Sequence, residues 1–387
     1  MNRPTLIPGL PRIWRGPTEL QLGADPARAV VLRLPGRRTA TVLDLLDGSR
    51  SERVVLLHAA ELGVPPDEAQ ALLDTLRAAG LALPAAALVP AALAEESRRR
   101  LVGEAAALAL AALAGRSPPA RRSAESAART LRRRAAARVT IAGRGRLGAP
   151  IAVALAEAGV GQVQSEVLGR VGPGELAGGP LRADDVGQPR REAISAAVAR
   201  AAPGSGLSRA RRTPATLVVQ LDPDQPIELV AAAFAQRRQA HLVVSIREGA
   251  AVIGPLVPAS GAPCLNCLEL HRRERDAAWP GVPAGSRRDD PEPCAVATLL
   301  AATAYAAAEV LTFLDGGLPE TLGAAVEIST PGRARRRTWP PHPACDCTRR
   351  RPPPMGEGRQ APMTAPDDDA MIGRSAHQAT NATHPGG

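Results

Sequence analysis

Four of the five cysteines fall in two close pairs. Cys264-Leu265-Asn266-Cys267 is a C-x-x-C knuckle behind Pro263, and Cys345-Asp346-Cys347 is a C-x-C pair shortly after Pro340-Pro341-His342-Pro343. Two such pairs can offer four thiolates to one tetrahedral Zn²⁺ at about 2.3 Å. With all four positions filled by protein sulfur, the centre would be structural. It would staple the end of a domain to its middle and add to folding free energy. A redox C-x-x-C is the competing reading of the first pair, and buried cysteines without a ligand are the competing reading of both. His342 is either a substitute ligand or a surface histidine. Cys294, in Pro291-Glu292-Pro293-Cys294, stands just before a long apolar stretch. A helix N-terminus favours a thiolate there, which would suit a nucleophile. A lone cysteine beside an apolar helix is more often a small buried hydrophobe.

A second constellation is rich in glycine. The apolar run Val139-Thr140-Ile141-Ala142 leads into Gly143-Arg144-Gly145-Arg146-Leu147-Gly148, and an Ala-rich helix pattern follows to Ala158 and Gly159. Strand, G-x-G-x-x-G and helix in that order make a nucleotide-type loop. Gly143 would permit the tight turn, Gly145 the approach of a phosphate, and Gly148 close packing of helix on sheet. The helix N-terminus adds free N–H groups for an anion. The alternative is that these glycines serve packing alone. A ribose would need a carboxylate near the end of the next strand, residues 162–168, and Glu166 is nearest to that place. Asp222 and Asp224 lie just past the strand Leu217-Val218-Val219-Gln220-Leu221, where open α/β sheets bind ligands. They are candidates for Mg²⁺, or ordinary loop residues beside Pro223.

The elements that must position these residues fall into three regions and a tail. Residues 1–85 read as a small winged-helix-like α+β unit. Ala29-Val30-Val31-Leu32 is a strand, the apolar stretch 39–46 follows it, and Asp47-Gly48 is a turn. A helix over 54–62 is closed by Gly63. Another opens at Pro65-Pro66-Asp67-Glu68 with Ala69, Leu72, Leu73 and Leu76 at helical spacing, and Leu81-Ala82-Leu83 closes the unit as a strand. Residues 86–137 form a helical connector rich in Ala and Arg, interrupted by Ser117-Pro118-Pro119. Residues 138–347 alternate strand and helix, which predicts a doubly wound parallel sheet. Residues 348–387 lack periodicity and read as a disordered tail.

The chain has 387 residues, a formal charge of +10, no lysine and only 2% aromatics, so its core must be aliphatic. The charge is carried by Arg alone and fits a GC-rich coding bias, so it does not by itself argue for nucleic acid. No signal-peptide pattern opens the chain. The apolar stretch 295–314 contains Glu309 and reads as a buried helix, with no membrane role. A cytoplasmic setting follows.

The loop, the strand spacing and the paired cysteines together resemble the ThiF/MoeB/HesA family, of the ubiquitin-like-modifier-activating superfamily. The resemblance covers residues 138–347 and rests on Thr140-Ile141-Ala142-Gly143-Arg144-Gly145, Ala158-Gly159-Val160-Gly161, Val186-Gly187-Gln188-Pro189-Arg190 and the two cysteine pairs. It implies a Rossmann-like adenylyltransferase fold with a structural zinc. It also implies MgATP-dependent activation of a carboxylate on a peptide or small carrier protein, and a homodimer. Gly143, Gly145 and Gly148 would then line the phosphates. Arg146 stands where the family usually has a second glycine. Arg190 replaces a phosphate-contacting lysine, and the ribose acid would fall at Val167 or Gly169. A winged-helix-like unit ahead of such a domain is similar to the leader-peptide recognition elements of ribosomal-peptide biosynthesis. Proteins of that kind often pair it with an activating-enzyme-like domain that has lost catalysis. The second expectation is therefore a scaffold that binds a precursor peptide and delivers it to a partner modifying enzyme.

Overall fold

The computed structural model describes residues 3–26, 28–114, 126–204, 214–223, 225–261, 263–279 and 292–347. Asp224, Ser117-Pro118-Pro119 and the expected tail 348–387 lie outside the described residues.

The N-terminal region builds two small sheets and a helical layer. Strands β1 (Pro4–Leu6), β2 (Arg12–Trp14), β3 (Glu19–Leu22) and β4 (Val30–Arg33) come first. β2, β3 and β4 form an antiparallel meander with β2 and β4 at its edges among the described residues. The stretch 39–46 lies mostly in a 3-10 helix, Arg37–Leu45. Helix α1 (Glu52–Glu61) ends before Gly63, whose φ of 75° suits glycine. Helix α2 (Pro66–Ala78) starts on a proline with Asp67 and Glu68 in its first turn, which suits the positive end of the helix dipole. β5 (Ala82–Pro84) returns to pair antiparallel with β1. Leu20, Leu22, Leu32, Val42, Val55, Leu72, Leu73 and Leu76 fill the space between these elements.

Four helices connect this region to the large sheet: α3 (Ala85–Leu88), α4 (Glu95–Arg100), α5 (Val102–Ala114) and α6 (Ala127–Ala136). They share a core of Leu88, Leu101, Ala105, Ala109 and Leu131 with Ile7. Arg134 on α6 is buried and carries much of the junction. Its guanidinium donates to Asp315 Oδ1 at 2.9 Å and Oδ2 at 2.6 Å, to Glu104 Oε1 at 2.5 Å, and to the Ala158 carbonyl at 3.1 Å. One side chain thus ties the connector to two elements of the sheet domain. Breaking a buried pair strands its partners, at a cost of roughly 3–5 kcal/mol. Arg134→Ala should therefore lower unfolding free energy by about 3 kcal/mol or more. Urea denaturation followed by circular dichroism checks this, and an unchanged midpoint would show that the junction is held by apolar contacts alone.

The sheet domain begins with β6 (Arg138–Gly143) and α7 (Gly148–Glu157), then β7 (Gln162–Val167) and α8 (Arg190–Ala201). Next come β8 (Leu217–Gln220), α9 (Ile227–Arg237), β9 (His241–Arg247), β10 (Ala250–Val257) and α10 (Leu265–Arg275). The long α11 (Val296–Leu314), β11 (Ala324–Thr330) and β12 (Arg333–Thr338) complete it. The strand order is β12-β11-β10-β9-β8-β6-β7. The four strands from β7 to β9 run parallel and the remaining pairings are antiparallel. The expected parallel sheet thus covers only one half of this Rossmann-like, mixed α/β arrangement. The direction reverses where Glu248 and Gly249, both at positive φ, turn β9 directly into β10.

Helices cover both faces. Leu242, Val244 and Ile246 of β9 share a core with α7, α8 and α11, whereas Val243 packs with Val230 and Ala231 of α9 and Leu265 of α10. That alternation is what a strand buried on both sides requires. α11 is long and apolar enough to cross a membrane, but Leu299, Ala302, Ala306 and Val310 pack into the domain core. Its buried Glu309 accepts hydrogen bonds from Glu320 N at 3.2 Å and Thr321 N at 2.8 Å, so the carboxylate fastens the following loop.

Candidate functional site

β6 pairs with β7 on one side and β8 on the other, and the chain leaves it in opposite directions. Such a switch point opens a crevice at the C-terminal ends of the strands. The glycine loop sits there. Gly143 has φ 97°, and a Cβ on it would come within 2.8 Å of the Asp222 carbonyl. A Cβ on Gly148 would press on Leu221 and Val167 at 3.0–3.1 Å, so this glycine allows the helix to lie close to the sheet.

The side of the loop where a phosphate is expected faces a carboxylate. Arg146 N–H donates to Glu292 Oε2 at 2.8 Å, and a Cβ on Gly145 would lie 2.9 Å from Glu292 Oε1. Glu292 comes from the segment just before α11 and reaches the N-terminal end of α7, where free backbone donors accumulate. Burial raises its carboxyl pKa, while the Arg146 N–H, Arg190 and Arg146 charges pull the other way. The Arg146 side chain spans the mouth towards the Cys294 carbonyl at 3.4 Å and the Ala177 carbonyl at 3.5 Å.

Arg190 opens α8. The segment before it runs back against residues 169–171, with Val171 N donating to Gln188 O and Arg190 N to Gly169 O, both at 2.9 Å. This brings the guanidinium to the same crevice, but its fork is engaged. Nη2 and Nε meet Glu175 Oε1 at 2.8 and 3.0 Å, and Nη1 donates to the Leu168 carbonyl at 3.0 Å. Asp222 lies two residues past the end of β8. Burial first, and then the charge of Glu292, push its carboxyl up to about 6. No acid replaces Val167 or Gly169 at the end of β7: Val167 is buried and Glu166 turns outward to solvent. The alternation along this edge strand decides that placement, with Val163, Ser165 and Val167 inside and Gln164 and Glu166 outside.

At the far end of the domain the four paired cysteines come together. Cys264 Sγ lies 3.9 Å from Cys267 Sγ and 3.6 Å from Cys345 Sγ, and Cys267 Sγ lies 3.3 Å from Cys347 Sγ. A tetrahedral ZnS₄ centre needs sulfurs about 3.8 Å apart. The set therefore fits a zinc ion held by Cys264, Cys267, Cys345 and Cys347. Burial pushes the Cys264 thiol up to about 11 and raises Cys347 too, so a dication is what would let both ionise. Cys294 is separate, half-buried, and packed against the sheet core. Burial raises its thiol above the usual range, and the Arg146 charge does not reverse this, so it is not poised as a thiolate.

Of the residues expected at the nucleotide site, Gly143, Gly145, Arg146, Gly148, Arg190 and Asp222 lie around this crevice, and Asp224 lies outside the described residues. Sequence reasoning missed Glu292 and Glu175. Glu292 lies 146 residues from its partner Arg146, and no local pattern signals a contact of that span.

No family model matches the chain, and no curated protein matches it. Solved structures do share its fold. Crystal structures of E. coli MccB align over nearly their whole length. The form with ATP has TM-score 0.54 at 15% identity, covering 89% of this chain and 99% of MccB. The microcin C7 biosynthetic enzyme MccB in complex with N-formylated MccA gives TM-score 0.55 at 15% identity over the same shares. A heterocyclase in complex with substrate and cofactor gives TM-score 0.51 at 14% identity, covering 88% of this chain and 38% of the heterocyclase. At these identities the likeness concerns the fold.

Proposed function

We propose that this chain is a precursor-peptide-binding protein built on the ThiF/MoeB/HesA activating-enzyme fold, which presents its peptide to a partner modifying enzyme and does not turn over ATP. The observation that carries this reading is the Glu292 carboxylate hydrogen-bonded to Arg146 N–H at the anion position of the glycine loop. The engagement of Arg190 by Glu175 and the missing ribose acid support it. So does the fold shared with a heterocyclase solved with substrate and with MccB solved with MccA. Residues 1–85 are the winged-helix-like recognition element, 86–137 the connector and 138–347 the scaffold domain. Among the described residues β4 pairs with β3 alone, and its other edge is open to an extended peptide that would add as a further strand. The zinc, at the four cysteines, keeps the scaffold's far end closed. A homodimer in the cytoplasm is the expected working form.

A second reading has its own support. The loop retains Gly143, Gly145 and Gly148 in a nucleotide-loop geometry, and MccB with the same fold has been solved with ATP. On that reading Glu292 leaves when ATP arrives, Arg190 turns to the phosphates, Asp222 and Asp224 hold Mg²⁺, and the chain adenylylates a peptide carboxylate.

The peptide claim is tested by fluorescence anisotropy of labelled leader-length peptides, encoded beside the gene, against the full chain. Micromolar binding that MgATP leaves unchanged is expected. No binding by any of them would remove the peptide role.

A further inference from the structure

Beside the cysteine quartet, a second set of donors converges that peptide binding does not use. His271 and Glu274 stand one turn apart on α10, and His342 sits on the segment that carries Cys345 and Cys347. One ring nitrogen from each histidine and an oxygen of Glu274 all lie within 4.8 Å of one another. We infer that His271, Glu274 and His342 form a second metal site, separate from the thiolate centre, for a borderline divalent transition ion such as Zn²⁺.

The donor set suits that ion. Two imidazoles and one carboxylate supply three ligands and leave one position for water. The orientation of His271 is that of a ligand. Its Nε2 lies 3.0 Å from the Pro340 carbonyl, which can only accept, so Nε2 carries the proton. Nδ1 then presents its lone pair towards Glu274, whose Oε2 is 3.7 Å away. A backbone carbonyl fixing the tautomer from behind is the usual outer partner of a metal-bound histidine.

His342 supplies the second argument. It is buried to 4% exposure, and its Nε2 lies 2.8 Å from Glu274 Oε1, an ion-pair distance without hydrogen-bond geometry. The buried ring nitrogen and the carboxylate oxygen thus face one another at the site, and an ion between them would draw them apart to tetrahedral ligand spacing, about 3.3 Å for bonds of about 2.0 Å. Nδ1 accepts Ala344 N–H at 3.1 Å, which puts the ring proton on Nε2 in the metal-free chain. Loading moves that proton to Nδ1, frees the Nε2 lone pair for the ion and gives up the Ala344 hydrogen bond. The exposed Glu274 leaves the site reachable from solvent, so its ion exchanges readily. It adds a second clasp between α10 and residues 339–347.

Cobalt titration of the full chain tests this, because the two sites differ spectroscopically. Co²⁺ bound by thiolates shows intense sulfur-to-metal charge transfer, whereas Co²⁺ bound by nitrogen and oxygen shows only weak d–d absorption. Two equivalents are expected, the first with charge transfer and the second without. Glu274→Gln lies at the exposed helix surface, while His271→Ala also removes a ring packed edge-on against His342 at 4.7 Å, so the first variant is the cleaner of the two. Each should keep the first equivalent and lose the second. A single equivalent in the unmodified chain would overturn the proposal, and so would a second equivalent that survives both substitutions. If charge transfer were absent while the substitution-sensitive equivalent remained, the quartet assignment would fail and this one would stand.

Discussion

Removing zinc from the quartet, by Cys345→Ser or a strong chelator, is expected to lower the melting temperature by about 10–20 °C, equivalent to ~5 kcal/mol at 2–4 °C per kcal/mol. The size follows from what else holds residues 339–347. Three prolines remove backbone donors there, and the segment contains no helix or strand. Trp339 N donates to Gly323 O at 3.0 Å and His271 meets the Pro340 carbonyl, while Cys345 N only closes a turn on His342 O. The contact of His342 Nε2 with Glu274 Oε1 at 2.8 Å adds to these, and four sulfurs around an ion would be the strongest anchor. Without the ion, Cys267 and Cys345 remain as buried thiols, and the bonds that would join the two segments are lost. Differential scanning calorimetry with and without chelator reads this directly. A transition that stays in place would mean that the cysteines pack without metal.

Glu292→Ala is expected to strengthen binding of tripolyphosphate or ATP at the glycine loop by about 10- to 100-fold. The substitution removes an internal competitor whose charge-assisted hydrogen bond is worth roughly 1.5–3 kcal/mol. Glu292→Gln keeps the shape and loses the charge, so it should fall between. pH moves the same balance. The Asp222 carboxyl, raised to about 6, is largely ionised at neutral pH and repels an incoming anion. In linkage terms, a raised carboxyl pKa means that the folded chain binds this proton more tightly than the unfolded chain. Ionised Asp222 therefore costs stability above pH 6, and the cost is relieved as pH falls through that value. Polyphosphate should accordingly bind more tightly at pH 5.5 than at 7.5. Isothermal calorimetry on both variants at both pH values reads the pair of effects. Equal affinities throughout would show that the carboxylate does not occupy the anion position in solution.

What could be read from the sequence follows the range of each interaction. β6, the glycine loop and α7 are contiguous, so the motif carries its own context and the structure places it as expected. The cysteine pairs are also legible, because the spacing within each pair is local and the chemistry of sulfur supplies the long-range link. The edge strand β7 reads poorly, since its outer positions are polar Gln164 and Glu166. The antiparallel half of the sheet begins at the two-residue turn Glu248-Gly249, which reverses the strand direction where strand–helix alternation leads one to expect a crossover helix. The occupants of the crevice are hidden for a different reason. Glu175 meets Arg190, and Glu292 meets Arg146, only after loops from separate elements converge. Which carboxylate answers which donor is a property of the fold.

The most direct measurement is a calorimetric titration of MgATP into the zinc-replete full chain. Glu292 at the anion position and Arg190 held by Glu175 predict no detectable heat of binding up to millimolar ATP. Micromolar MgATP binding, lost on Gly145→Asp, would contradict the scaffold account and establish a working nucleotide site.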